Sequence, residues 1–119
     1  YRNILGPIAA EFRPEFILVS AGFDIFSGDP LGGMEVSPAG FAALAAELLS
    51  MAAHHCQGRI LFALEGGYSL AGLREGVKQV LRQMNGTGEP PSIPAEASAS
   101  TLKELAPALQ HLRKFWKIP

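Results

Sequence analysis

The chain holds one cysteine, Cys56, one tryptophan and three histidines among its 119 residues. A lone thiol excludes an internal disulfide and a cysteine-rich structural zinc site, and it suits a reducing compartment, so a cytoplasmic setting is expected. Net charge is also nearly absent. Ten basic against eleven acidic residues leave -1, which gives no electrostatic reason to expect nucleic acid or an anionic membrane surface as a partner. No apolar run reaches the roughly 18 residues that span a bilayer, because Glu47 interrupts the alanine-rich stretch 39–53. No basic segment precedes an apolar one in the manner of a secretory leader. The chain opens on Tyr1 rather than Met, and its first residues read as the end of a helix. A piece of a longer protein is therefore expected, and the missing leader decides little. What is present, 48% hydrophobic and 18% charged residues, describes an ordinary globular chain with enough length for one core.

Ile4, Ile8 and Phe12 recur at helical spacing until Pro14, which disfavours the helical region for Arg13 and ends the segment. Phe16 to Val19 is an unbroken apolar run, the pattern of a strand covered on both faces of a parallel sheet. Ser37 is placed to cap a helix that has Pro38 in its first turn. Phe41, Leu44, Leu48 and Met51 share one face of that helix before Gly58 stops it. The plan then repeats: an apolar strand over Ile60–Leu64, a double-glycine loop, and a helix capped by Ser69. Its stripe of Leu70, Leu73, Val77 and Leu81 ends near Asn85-Gly86.

Two successive strand, loop and helix units predict a βαβα arrangement with parallel strands. Neighbouring strands, about 4.8 Å apart, would bring both loops to one carboxyl edge, where open α/β sheets bind ligands. Residues 86–98, rich in Gly, Pro and Ser, read as a connector. Leu102, Leu105, Leu109, Leu112 and Trp116 read as a tail helix that Pro107 would kink or divide. The expected organisation is a body over 1–85, a linker over 86–98 and a helical tail over 99–119.

The chemistry concentrates in the two loops. In SAGFDIFSGDPLGG, Ser20 to Gly33, Asp24 is either a turn aspartate capping nearby amides or a hard carboxylate ligand on a rigid strand end. The second role suits Zn²⁺ when two further protein ligands arrive from elsewhere, and spacing leaves both roles open. Asp29-Pro30 reads as turn chemistry. Leu31-Gly32-Gly33 is no phosphate cradle, since no Lys-Ser/Thr pair follows. Tyr68 is either a packed aromatic or a neutral donor to a developing oxyanion, and Gly66 and Gly67 free its loop to move. Glu65, near Arg59 and Arg74 in sequence, reads as ion-paired or solvated. His54, His55 and Cys56 cannot all converge on one ion from consecutive positions at a helix end, so they read as structural or surface residues.

PIAAEFRPEFILVSAGFDIFSGDPLGGMEVSPAGF and LFALEGGYSL resemble the carboxyl-terminal part of the histone deacetylase superfamily, over about residues 4–84. The nearest likeness is to the class II branch, with its bacterial deacetylase, acetoin-utilisation and acetylpolyamine amidohydrolase relatives. The resemblance implies the carboxyl-terminal part of an α/β, open, mainly parallel-sheet, arginase/deacetylase-like three-layer fold, with 1–85 as that portion of the catalytic domain. It also implies Asp24 as the third zinc ligand, Tyr68 as the transition-state donor, Leu31 at the mouth of an acyl-lysine channel, and Gly66 and Gly67 in its wall.

The implied reaction is zinc-dependent hydrolysis of an acetyl amide. The tandem-histidine general base and the Asp-x-His ligand pair belong to the amino-terminal part of such a fold. His54, His55 and His111, the only histidines, match neither, so the chain by itself is expected to be inactive. Tyr68, where some class II relatives carry His, argues for a competent enzyme. Leu31, where a polyamine-selective relative would place an acid near the mouth, points to an acetylated lysine side chain or a small uncharged acetylated amine. A catalytically silent α/β binding module is the competing reading. A binuclear ureohydrolase would need a D-x-D pair, whereas Asp24 and Asp29 stand five apart.

Overall fold

A computed structural model of the chain describes residues 1–92 and 97–118. The elements run α1 (Leu5–Phe12), β1 (Ile17–Ala21), α2 (Pro38–Cys56), β2 (Ile60–Leu64), α3 (Leu70–Met84) and α4 (Ala99–Leu112). Part of the connector expected over 86–98, residues 93–96, lies outside the described residues.

The helix starts follow local chemistry. Ser37 Oγ accepts the Gly40 N–H at 3.2 Å, and Pro38 occupies the first turn, where its missing N–H costs nothing. Ser69 repeats the device by accepting from the Gly72 N–H at 3.1 Å. The chain leaves α2 through Gln57 at φ 56° and Gly58 at φ 78°, so the stop expected at Gly58 begins one residue earlier. Helix α4 contains Pro107 without being divided, which corrects the alternative of two shorter helices. Its end meets α1: Phe12 and Trp116 stack edge to face at 6.3 Å, and the Lys117 N–H donates to Glu11 Oε2 at 2.9 Å.

β1 and β2 pair in parallel and in register from Ile17↔Ile60 to Ala21↔Leu64, as the βαβα reading predicts. Pairing continues beyond the strands, with Glu65 N–H donating to Ala21 O at 3.2 Å and Phe23 N–H to Gly66 O at 2.7 Å. The two loops therefore leave the sheet edge side by side.

The helices of this chain bury one face of the sheet. Within this chain Ile17, Val19 and Ala21 are half-buried, whereas Leu18 is 76% exposed, and its register partner Leu61 is exposed as well. Among the described residues no element covers the outer face, because the crossover helix α2 and the following α3 both pack on the inner one.

One expectation about burial is corrected, in α3. Leu70 and Leu81 are exposed, and the buried positions are Gly72, Gly76 and Val80, with Leu73 and Val77 at the margin. The glycines form a notch for two rings. A Cβ on Gly72 would lie 2.6 Å from Phe26 Cδ1, and one on Gly76 would lie 2.6 Å from Phe23 Cδ1. Phe23, Phe41, Ala45 and Val80 make the buried core, with the Phe23 and Phe41 rings 5.0 Å apart. Burying each such ring contributes about 1.5–3 kcal/mol. On α2 the buried face is correspondingly small-residued, with Ala42, Ala45 and Ala52 joining Phe41 and Met51, while Leu44 and Leu48 are only half-buried.

Candidate functional site

Asp24 sits three residues beyond β1, at the carboxyl edge of the sheet, and is half-buried. Its carboxylate is walled by glycines. A Cβ added to Gly22 would stand 2.8 Å from Oδ1, and one added to Gly66 would stand 2.7 Å from Oδ2 and 2.9 Å from Cγ. Gly66 belongs to the β2 loop, so the structure brings Asp24 and the double-glycine loop together. Gly32 folds back from the other side: a Cβ there would lie 1.6 Å from the Asp24 carbonyl oxygen, an overlap only glycine avoids.

The two aspartates of the first loop divide their roles. Among the described residues, the Asp24 carboxylate accepts no hydrogen bond. The amide-capping role open to it from sequence is not what it does here. Asp29 takes that role in full. It is only 7% exposed, and its Oδ1 accepts the Leu31 and Gly32 N–H groups, both at 3.0 Å. Its Oδ2 accepts the Tyr68 N–H at 2.8 Å and the Ser69 N–H at 3.0 Å. Burial pushes the Asp29 carboxyl upward, but the four backbone donors, with Tyr68 foremost, outweigh it and hold its pKa below the ordinary carboxylate value. The turn reading of Asp29 thus holds for Leu31 and Gly32. Its bonds to the second loop carry no sequence signal, because the partners are 39 and 40 residues away.

Tyr68 follows Gly67, whose φ of 135° lies where side chains are strained and whose added Cβ would stand 2.8 Å from Leu73 Cδ2 and 2.9 Å from Phe23 Cβ. With its main chain tied to Asp29, Tyr68 projects a ring that is 58% exposed within this chain. Leu31 is likewise exposed, on the rim of the first loop. All five residues singled out from sequence, Asp24, Leu31, Gly66, Gly67 and Tyr68, therefore lie on two adjoining loops at one edge.

The bystanders fall elsewhere. Glu65 accepts the Ser20 hydroxyl at 2.9 Å; Arg74 pairs with Glu75, and Arg59 donates to Glu15 O and Gln57, so neither arginine pairs with Glu65. His54 binds the Ser50 carbonyl one turn back at 2.7 Å, and the buried Cys56 thiol donates to Arg59 O at 3.3 Å. Among the described residues no three His, Cys, Asp or Glu side chains cluster to hold a metal, so Asp24 would be one donor of a larger set. A carboxylate oxygen, unclaimed by protein N–H groups and kept clear by glycine on both sides, fits a metal ligand. No helix among the described residues is long and apolar enough to cross a membrane.

Comparison with known proteins agrees with this architecture. The model of the histone deacetylase domain matches residues 1–84. Histone deacetylase 15 of Arabidopsis thaliana is 32% identical over 118 residues, covering 98% of this chain and 21% of that protein. The polyamine deacetylase HDAC10 of Homo sapiens is 40% identical over 118 residues, covering 98% of this chain and 17% of that protein. The crystal structure of the HDA15 HD domain superposes with a TM-score of 0.79 at 34% identity, over 97% of this chain and 31% of the other. The chain thus spans about a fifth of the length of these curated relatives. Its small parallel sheet and flanking helices are part of an arginase/deacetylase-like fold. With its sequence, its fold and the spacing of its two loops in agreement, the chain belongs to the histone deacetylase family.

Proposed function

We propose that the protein is a zinc-dependent deacetylase acting on an acetylated lysine side chain or a small acetylated amine, with Asp24 as a metal donor and Tyr68 as the oxyanion donor. One observation carries this reading: the Asp24 carboxylate is left free of backbone amides inside a glycine cradle, and the same second loop that supplies Gly66 presents the exposed Tyr68. A turn aspartate would be engaged as Asp29 is. Bound at Asp24, zinc would supply polarisation of the acetyl carbonyl and a water acidic enough to attack near neutral pH.

The chain's own residues do the rest. Tyr68 donates its phenol O–H to the carbonyl oxygen as charge develops there. Gly22 and Gly66 keep the space beside the Asp24 carboxylate open, Gly67 supplies the turn that presents Tyr68, and exposed Leu31 gives the rim an apolar contact for an uncharged acyl-lysine stem. Within this reading, residues 1–85 are the carboxyl-terminal portion of a catalytic domain, 86–98 a connector and 99–119 a tail. The 119 residues alone supply one zinc donor and are expected to be inactive by themselves.

Asp24→Ala in the full-length protein tests the assignment. Losing one anionic donor of a three-ligand site should empty the purified variant of zinc and abolish deacetylation, with folding intact. Zinc kept at full occupancy would return Asp24 to a structural role.

A further inference from the structure

We infer that Asp29 is a positioning residue: one buried carboxylate locks the Tyr68 loop to the Leu31 loop, so that the oxyanion donor and the rim of the channel are held as a single unit. This rests on the proposed role of Tyr68. The geometry is a four-way junction. Oδ1 takes two N–H groups from its own loop, Leu31 and Gly32, and Oδ2 takes two from the other, Tyr68 and Ser69, all at 2.8–3.0 Å. The Tyr68 side chain has no comparable hold, being 58% exposed, so its main-chain anchor sets where the phenol can reach. Gly67, on the other side, is a position of unusual φ that gives no rigidity of its own.

Only a carboxylate of this length meets the requirement. Asp offers two acceptor oxygens with two lone-pair sites each, matching four donors. Asn of the same shape offers one acceptor oxygen and turns an NH₂ group toward the other pair of N–H groups, leaving them unpaired. The amide can keep its local turn with Leu31 and Gly32 or the link to Tyr68 and Ser69, not both. Asp29→Asn should therefore uncouple the loops without removing any group that touches substrate.

The test uses the zinc-loaded full-length protein and an acetyl-lysine peptide. Asp29→Asn should lower kcat on the order of 10–100-fold, the scale of a misplaced reacting group, with zinc content unchanged and KM moved far less. Tyr68→Phe should lower it on the order of 10²–10³-fold. Because Asp29 acts through the phenol, adding Asp29→Asn to Tyr68→Phe should cost almost nothing more. Independent, multiplying losses would overturn the inference, as would a kcat within two-fold of the parent for Asp29→Asn. Should Tyr68→Phe itself be harmless, it is the proposed function that fails.

Hydrogen exchange on the unmodified protein decides the matter even if Asp29→Asn does not fold. The amides of Leu31, Gly32, Tyr68 and Ser69 should be protected together, on the order of ten-fold or more over free amides. Protection of the first two alone would reduce Asp29 to closing its own turn.

Discussion

The carboxylate of Asp24 and the backbone of Gly66 stand so close that a methyl group on Gly66 would lie 2.7 Å from Asp24 Oδ2. Gly66 does not occupy a left-handed conformation, so alanine fits its backbone. By the unfolded-state argument alone, Gly66→Ala would stabilise the protein by about 0.4–1 kcal/mol. The contact predicts otherwise for function: the methyl displaces the carboxylate, and the full-length variant should lose zinc while melting within a few degrees of the parent. Zinc measured at full occupancy would show that Asp24 does not need this clearance.

Tyr68→Phe removes one hydroxyl from an exposed ring and should leave stability unchanged, since the main-chain bond to Asp29 survives. Because the donor acts on charge that develops during reaction, kcat and kcat/KM should fall together, by about 3–4 kcal/mol of transition-state stabilisation. A loss confined to KM would mean that the phenol only binds substrate.

Gly76→Ala tests the helix notch. Alanine is favoured in a helix interior by about 1 kcal/mol, but its methyl would sit 2.6 Å from Phe23 Cδ1 and 3.2 Å from Phe41 Cδ2. Overpacking two core rings costs about 1–3 kcal/mol, so a net destabilisation of up to about 2 kcal/mol is expected in urea unfolding. A gain in stability would show that the rings have room to shift.

Asp29 makes stability depend on pH with a definite sign. Its carboxyl is held below the ordinary value in the folded protein: burial raises it, and the bonds from Tyr68, Leu31, Gly32 and Ser69 lower it further than burial raises it. The folded state therefore binds this proton more weakly than the unfolded chain does. The contribution is complete above the unfolded pKa of about 3.9 and is lost as pH falls through the lowered folded value. The melting-temperature gap between parent and Asp29→Asn should be constant from pH 7 to about 5 and close in stronger acid. A gap that widens on acidification would contradict the sign.

How much of this was legible before folding depends on the range of each interaction. The helix starts at Ser37-Pro38 and Ser69 are fixed by a side chain and an amide three residues on, so the residues name them directly. The parallel pair was legible too, because two apolar runs each followed by a helix leave little choice of topology. That pairing brought Asp24 and the double-glycine loop to one edge.

What the sequence by itself determined, then, was the order of elements, their caps and the loops that hold the chemistry, all products of local or nearly local rules. The tertiary structure decided the rest. A leucine stripe marked α3 as amphipathic, but only the positions of Phe23 and Phe26 made glycines its buried face. The apolar strand reads as covered on both faces; which elements stack on each face is a tertiary matter, and within this chain α2 and α3 take one face while Leu18 lies exposed on the other. Asp29 looked like a turn residue because half its bonds are local; the other half reach Tyr68 and Ser69 across 39 and 40 residues. Hydrogen-bond donors that far apart meet only when the sheet edge aligns two loops, and no spacing rule encodes that.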